Sequence, residues 1–324
     1  VANPNYQIER SPFELRRALA RLKRISSDHP LPLQQHALYG AALCEIGADV
    51  QHIGITSQDG LLMQGLFLTR NFFGVAKVTS AFRGPLWASH ITDEEKLAAF
   101  KFLRTQFSPW RWNFLTLMPE SENNAQNRAF MRRAGFTRLL TGASTIWLDV
   151  SQSSDTLLKD LDGKWRNQLK KAQTADLEVS IGGSKPKHYN WLLEHERNQR
   201  NSRGYSAVPL GLVPAYASAA QQMAIPAPII SINIVESGNR IAGALFLLHG
   251  NSATYHIGWS NPRGRELNAL NLILFNALKA LNKVGIRWLD LGGLETSAGS
   301  SAGIARFKLG LGAPPYTLVG TYLG

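Results

Sequence analysis

Gly54-Ile55-Thr56-Ser57-Gln58-Asp59-Gly60, continued by Gly65-Leu66-Phe67-Leu68, returns later in the chain as Ile234-Val235-Glu236-Ser237-Gly238, continued by Gly243-Ala244-Leu245-Phe246-Leu247. Gly60 matches Gly238 and Gly65 matches Gly243, both pairs 178 residues apart. In each copy a strand-like run meets a turn, Asp59-Gly60 or Ser237-Gly238, and a second apolar run follows. Apolar runs on either side of a turn-compatible pair read as a β-hairpin. A hairpin that recurs once carries little weight; the elements that follow it recur too.

After the first hairpin, Thr92-Asp93-Glu94-Glu95 has the pattern of a capping box, with acids suited to the helix dipole. It predicts a helix whose buried stripe is Leu97, Phe100, Leu103 and Phe107. A strand over 114–118 comes next, then a helix from Ala125 that stops at Ala134-Gly135, where glycine accepts the left-handed conformation. A strand over 145–150 closes the copy. The second copy repeats this with a longer helix (267–283), a strand (287–291), the turn Gly310-Leu311-Gly312 and a last strand (316–322). The expected fold is therefore α/β (α+β), two tandem domains of mixed sheet flanked by helices, at 1–150 and 151–314. A chain of 324 residues suits two domains of ~150 each.

Between the copies, Leu158, Leu161, Trp165, Leu169 and Ala172 fall at helical spacing on one face. Lys159, Arg166 and Lys170 gather on another, flanked by Lys164 and Lys171. This is either a solvated basic face or a strip that contacts phosphates. The net charge of +12 favours polyanionic partners: nucleic acid, nucleotide-linked substrates or an anionic membrane surface. No apolar run approaches the ~18–20 residues of a membrane span, and residues 1–17 carry no apolar signal segment. The single Cys44 can form no internal disulfide, which points to a reducing compartment and a cytoplasmic protein. It lies in an apolar run and reads as inert core. There is no Gly-x-Ser-x-Gly elbow and no paired-histidine metal spacing.

Several short motifs resemble the Fem family (FemABX) of non-ribosomal peptidyltransferases, which build the peptide branches of bacterial peptidoglycan. They are Arg83-Gly84-Pro85, Arg133-Ala134-Gly135-Phe136, the run from Lys164 to Ala172, Asp290-Leu291-Gly292-Gly293 and Arg306-Phe307-Lys308-Leu309-Gly310. The resemblance implies two domains of the acetyltransferase (GNAT) type, with the final strand crossing back so that 315–324 complete the first domain. Nothing between Ala172 and His195 is long enough for the coiled-coil arm of some members.

The implied reaction is aminolysis: an amine attacks the ester carbonyl of an aminoacyl-tRNA, and a peptide bond forms. The ester is already activated, so no nucleophile, metal or organic cofactor is required; the protein orients two substrates and stabilises an oxyanion. The resemblance makes Lys308 the candidate catalytic residue, with Phe307 beside it. It places Tyr255 and His256 at the strand that opens the cleft; alternation sends the two to opposite faces, and the family's use of an aromatic there selects Tyr255, with His256 reading also as a core histidine. Arg200, Arg203 and Tyr205 resemble a segment that holds phosphates of a nucleotide-linked acceptor, and Arg83 belongs to the substrate-binding set. Lys164, Arg166, Lys170 and Lys171 are the RNA-binding candidates. One departure matters: after Gln34-Gln35, Ala41, Ala42 and Leu43 stand where the family often has a lysine that grips a diphosphate. That leaves the amine-bearing acceptor, a cell-wall precursor in the family, open.

A second reading is N-acylation from acyl-CoA. That chemistry wants glycines in the turn that cradles the pyrophosphate, and Glu266 and Asn268 occupy those places. A third, an RNA-binding protein without catalysis, leaves the cleft residues unexplained.

Overall fold

The computed structural model describes residues 6–25, 29–204, 207–294 and 300–324. The chain divides into two units, Val1–Ala143 with Thr317–Gly324, and Ser144–Tyr316. The first unit has strands β1 (Gln7–Pro12), β2 (Asp49–Ser57), β3 (Gly60–Phe72), β4 (Ala76–Phe82), β5 (Leu86–Trp87), β6 (Asn113–Met118) and β7 (Thr137–Leu140). Its helices are α1 (Leu15–Leu22), α2 (Ala37–Glu45), α3 (Asp93–Thr105) and α4 (Ala125–Arg133). After the short β8 (Ser144–Thr145), the second unit has β9 (Trp147–Asp149), α5 (Ser154–Asp160), α6 (Gly163–Thr174), β10 (Glu178–Gly182), α7 (Pro186–Arg203) and α8 (Leu212–Gln222). It continues with β11 (Ile229–Glu236), β12 (Asn239–His249), β13 (Ser252–Ser260), α9 (Pro262–Glu266), α10 (Ala269–Lys283), β14 (Trp288–Asp290) and α11 (Ser300–Leu309). β15 (Tyr316–Thr317) and β16 (Thr321–Leu323) end the chain.

Both hairpins form at the expected turns, Ser57↔Gly60 and Glu236↔Asn239. The α3 capping box is present, with Thr92 and Glu95 satisfying each other's backbone amides. α4 ends with Gly135 at φ +89°, the left-handed value that a Cβ would resist. Both units are mixed sheets flanked by helices, and the described residues include no coiled-coil arm.

The sheet order of the first unit is β1-β2-β3-β4-β6-β16-β7, and that of the second is β10-β11-β12-β13-β14-β9. The strand expected to close the first copy therefore lies elsewhere: β9 pairs antiparallel with β14, Leu148 facing Leu289, and belongs to the second unit. The division falls at Ser144, not near 150–155. The physical reason is burial. Ile146, Leu148 and Val150 join the core formed by α10, β11, β12 and β14, and not that of the first unit. β16 fills the matching place in the first sheet, between β6 and β7, where Val319 and Tyr322 enter the core with Phe100, Leu115 and Phe136.

Two further expectations change. The single linker helix is two, because Asp162 caps α6 by accepting from the amides of Lys164 and Trp165. Leu157, Leu161, Trp165, Leu169 and Ala172 are buried, so the apolar face survives the break. Cys44 is exposed rather than core, since α2 buries Ala37, Leu38, Ala42 and Leu43 on its other side. Partial desolvation still pushes its thiol pKa up, which keeps it protonated and unreactive.

Candidate active site

β13 pairs in parallel with β14 only from Ser252↔Trp288 to Thr254↔Asp290. Beyond that rung the two strands part. Tyr255 is the next residue on one side, and Leu291, Gly292 and Gly293 follow on the other. A Cβ placed on Gly292 would lie 3.6 Å from the Tyr255 carbonyl oxygen and 3.9 Å from Lys308 Nζ, so these groups meet where the sheet opens. Gly292 has φ +71°, a second reason for glycine there.

A cavity of about 520 Å³ occupies the opening, lined by Tyr255, Gly258, Trp259, Asn271, Phe307 and Lys308 among others. Lys308 comes from α11, is 7% exposed and donates to the Gly293 carbonyl at 2.8 Å. Burial lowers its pKa to about 8, against the opposing pull of the Asp290 carboxylate. Asp290 is itself buried at the end of β14. It accepts from the Thr145 hydroxyl at 2.5 Å and from the Gly292 amide at 2.8 Å, which hold it beside the lysine.

Phe307 is placed by α6. Its ring stacks on Trp165 with centroids 6.0 Å apart, and Trp165 Nε1 donates to the Phe307 carbonyl at 3.1 Å. Gly310 lets the indole approach; a Cβ there would stand 2.6 Å from it. The buried face predicted for the linker helix thus sets the helix that carries Phe307 and Lys308.

A β-bulge fixes Tyr255. The register passes from Phe246↔Tyr255 to Leu245↔Ile257 and Ala244↔Gly258, leaving His256 as the extra residue. Phe246 and Ala244 share a face, so their partners Tyr255 and Gly258 share one also, although they are three apart. The phenol lies along the strand over Gly258, where a Cβ would fall 1.6 Å from its oxygen. Tyr255 packs against the core that contains Phe246 and lines the cavity, and burial pushes its pKa up. His256 is held neutral with a pKa of about 4, by burial first and the nearby Arg200 guanidinium second.

Other expected residues are placed differently. Arg200 Nε donates to Glu196 at 2.7 Å and Nη1 to the Val208 carbonyl at 2.8 Å, so its guanidinium is engaged within the protein. The Arg203 side chain and Tyr205 lie outside the described residues. Arg83 belongs to the first unit, where it makes a two-pronged ion pair with Glu120, both bonds at 2.6 Å. Gln35, noted beside the missing lysine, is buried and bonded to the Leu66 amide and the Phe82 carbonyl. Lys164, Arg166, Lys170 and Lys171 are exposed on α6. Lys164 lines a second cavity, about 630 Å³, that shares Asn271, Gly303 and Phe307 with the first. Arg166 and Lys171 donate to the Leu161 and Glu266 carbonyls.

Three features escaped the sequence. Asp290 had a visible signal in Asp290-Leu291-Gly292-Gly293, an acid at a strand end before two glycines, and its partner Thr145 had none. The bulge had none. Neither did Asn271: it is 4% exposed on the first turn of α10, lines both cavities, and its Nδ2 has no hydrogen-bond partner among the described residues.

Residues 231–323, which include β13, β14, α11 and this cavity, match the FemAB family. Among solved structures, FemX is similar over 97% of this chain and 96% of its own, at 12% identity and a TM-score of 0.76. A tandem GNAT protein from the clavulanic acid biosynthesis pathway is similar over 98% of both chains, at 11% identity and a TM-score of 0.56. L-PGS from Bacillus licheniformis follows at 13% identity and 0.55, over 97% of this chain and 92% of its own. No curated protein sequence matches. At such identities the structures speak for the fold alone, that of a tandem GNAT protein.

Proposed function

We propose that the chain transfers an amino acid from aminoacyl-tRNA to an amine acceptor, with the chemistry in the cavity at the parting of β13 and β14. The observation that carries this reading is Lys308, a buried ammonium whose pKa is about 8, beside Asp290 and bonded to the Gly293 carbonyl. The acceptor nitrogen attacks the ester carbonyl carbon, and the carbonyl oxygen takes the negative charge. Collapse forms the amide and expels the ribose oxygen, which leaves with the proton lost by the amine. An ammonium at the oxyanion stabilises the transition state more than the ground state, and a lysine near pKa 8 is a better proton donor to the leaving oxygen than an ordinary one. The donor's phosphates have a complementary surface in the first turn of α10, which has no side-chain cap, and in the Asn271 amide. Lys164, Arg166, Lys170 and Lys171 extend that positive surface along α6.

An acyl-CoA donor would use the same helix turn. The separating experiment incubates the purified protein with a tRNA pool charged with labelled amino acids and with amine acceptors, including peptidoglycan stem peptides. Label should pass to an amine and RNase should abolish the transfer. Turnover with acetyl-CoA that survives RNase would replace this reading with CoA-dependent N-acylation. Reversal of Lys164, Arg166 and Lys170 to Glu should weaken tRNA binding and flatten its salt dependence.

A further inference from the structure

Large apolar side chains face solvent at one end of the first unit. β3 runs past its last partner in β2, Asp49↔Thr69, and continues with β4 alone, pairing Arg70↔Val78 to Phe72↔Ala76. The tip is Phe72-Phe73-Gly74-Val75, turned by left-handed φ values at Phe73 and Gly74. Phe73 is 99% exposed and Val75 65%. The loop before β6 lies against this hairpin, because the Lys77 amide donates to the Trp112 carbonyl at 2.7 Å and Lys77 pairs with Asn113. That loop adds Trp110, 95% exposed, and Trp112. None of these residues joins the first unit's core, so folding gives no reason for them, and clustered exposed apolar groups mark a contact surface.

Within the hairpin and the loop the charge has one sign, and the exposed acid Asp49 stands opposite Thr69 at the base of the projection. Arg70, Lys77 and Arg111 are exposed, and no Asp or Glu occurs within 60–92 or 96–119. We infer that this tip is a docking surface for an anionic lipid bilayer: Phe73, Trp110 and Trp112 enter the headgroup layer while Arg70, Lys77 and Arg111 meet the lipid phosphates. Aromatic rings favour that interface, and basic groups are drawn to an anionic surface. A second copy fits poorly, since two-fold pairing would set the same cations against one another. A single-stranded RNA fits less well than a bilayer, because bound strands follow a groove and this is a projecting tip.

The test is flotation of the full chain with vesicles of phosphatidylcholine alone or mixed with phosphatidylglycerol. Wild type should float with the anionic vesicles, less so in high salt, and not with the neutral ones. Phe73→Ser with Trp110→Ser should reduce partitioning roughly tenfold or more, at an unchanged thermal midpoint. Quenching of tryptophan emission by brominated acyl chains, lost in Trp110→Phe with Trp112→Phe, reads insertion without a polar substitution. Absence of flotation, or equal flotation of the double variant, overturns the proposal. So does a double variant that loses tRNA affinity, or a dimer in sedimentation, while vesicle binding is unchanged.

Discussion

The two units build the same pair of parallel strands and finish it differently. In the first, β4 and β6 stay paired from Lys77↔Asn113 to Phe82↔Met118; in the second, β13 and β14 pair only to Thr254↔Asp290. One residue past the last rung stands Arg83 in the first unit and Tyr255 in the second. Two residues past it on the other strand stand Glu120 and Gly292. Arg83 and Glu120 bond to each other at this strand end, whereas Tyr255 lines a cavity of about 520 Å³ and Gly292 leaves room beside Lys308. A shared fold thus holds a site in one copy and a closure in the other, and a few residues past the strand ends account for the difference.

The sharpest way to break this comparison is to unpair the closure. Glu120→Leu removes the carboxylate from a largely buried guanidinium and should cost about 3–5 kcal/mol in denaturant unfolding. Arg83→Met with Glu120→Leu should recover most of it, with activity per folded molecule unchanged. Activity lost in the double variant would show that Arg83 is more than a closure.

Next comes Lys308→Met, expected to lower kcat about 100–1000-fold, or ~2.7–4 kcal/mol, with little change in substrate affinity. Stability should move the other way. The folded pKa of about 8 lies below the unfolded value, so between about pH 8 and 10.5 the unfolded chain binds the extra proton, and wild type gains stability as pH rises. Below pH 8 the buried charge costs up to about 3 kcal/mol, so the methionine variant should melt no lower than wild type at pH 7. Its advantage should shrink as pH is raised towards 10.

Gly258→Ala addresses the bulge. The new methyl would displace the Tyr255 phenol, and a shift of about 1 Å can cost roughly 100-fold in kcat/KM. An equal substitution at Gly163, with open space around it and no left-handed backbone, should leave activity alone.

The smallest effect is on acid stability. His36 and His52 in the first unit and His256 in the second are held neutral, each at a pKa of about 4. Each protonates in the unfolded chain near 6.5 but not in the fold, so stability falls as pH drops from about 6.5 towards 4. His52→Gln should remove about 2 kcal/mol of that loss at pH 5, measured by urea unfolding.

The repeat was legible because strands and caps are local: Asp59-Gly60, Ser237-Gly238 and Thr92 to Glu95 each specify their own backbone. The exchange of β9 and β16 was only half legible. Ile146 and Leu148 are apolar in either sheet, and which sheet takes them depends on packing with α10, far away in sequence. At the site, Phe307 and Lys308 were readable from their motif and Trp165 from its periodicity. Tyr255's orientation was not, because the bulge shifts the phase of alternation without a residue to announce it. Arg83 looked like a free cation, since nothing in a linear string shows that Glu120 meets it, whereas Glu196, four residues before Arg200 on one helix, was a readable sign of that pair.

The placing of β16 has a consequence for synthesis. Residues 1–143 leave the ribosome first, yet their sheet has a gap between β6 and β7 that only residues 321–323 fill. Domains usually fold in order of emergence. Here the first unit must wait as an incomplete sheet with two unpaired edges until the second has been translated. During that interval the nascent chain exposes a strand-shaped vacancy, and a chaperone that shields it should raise the yield of folded protein.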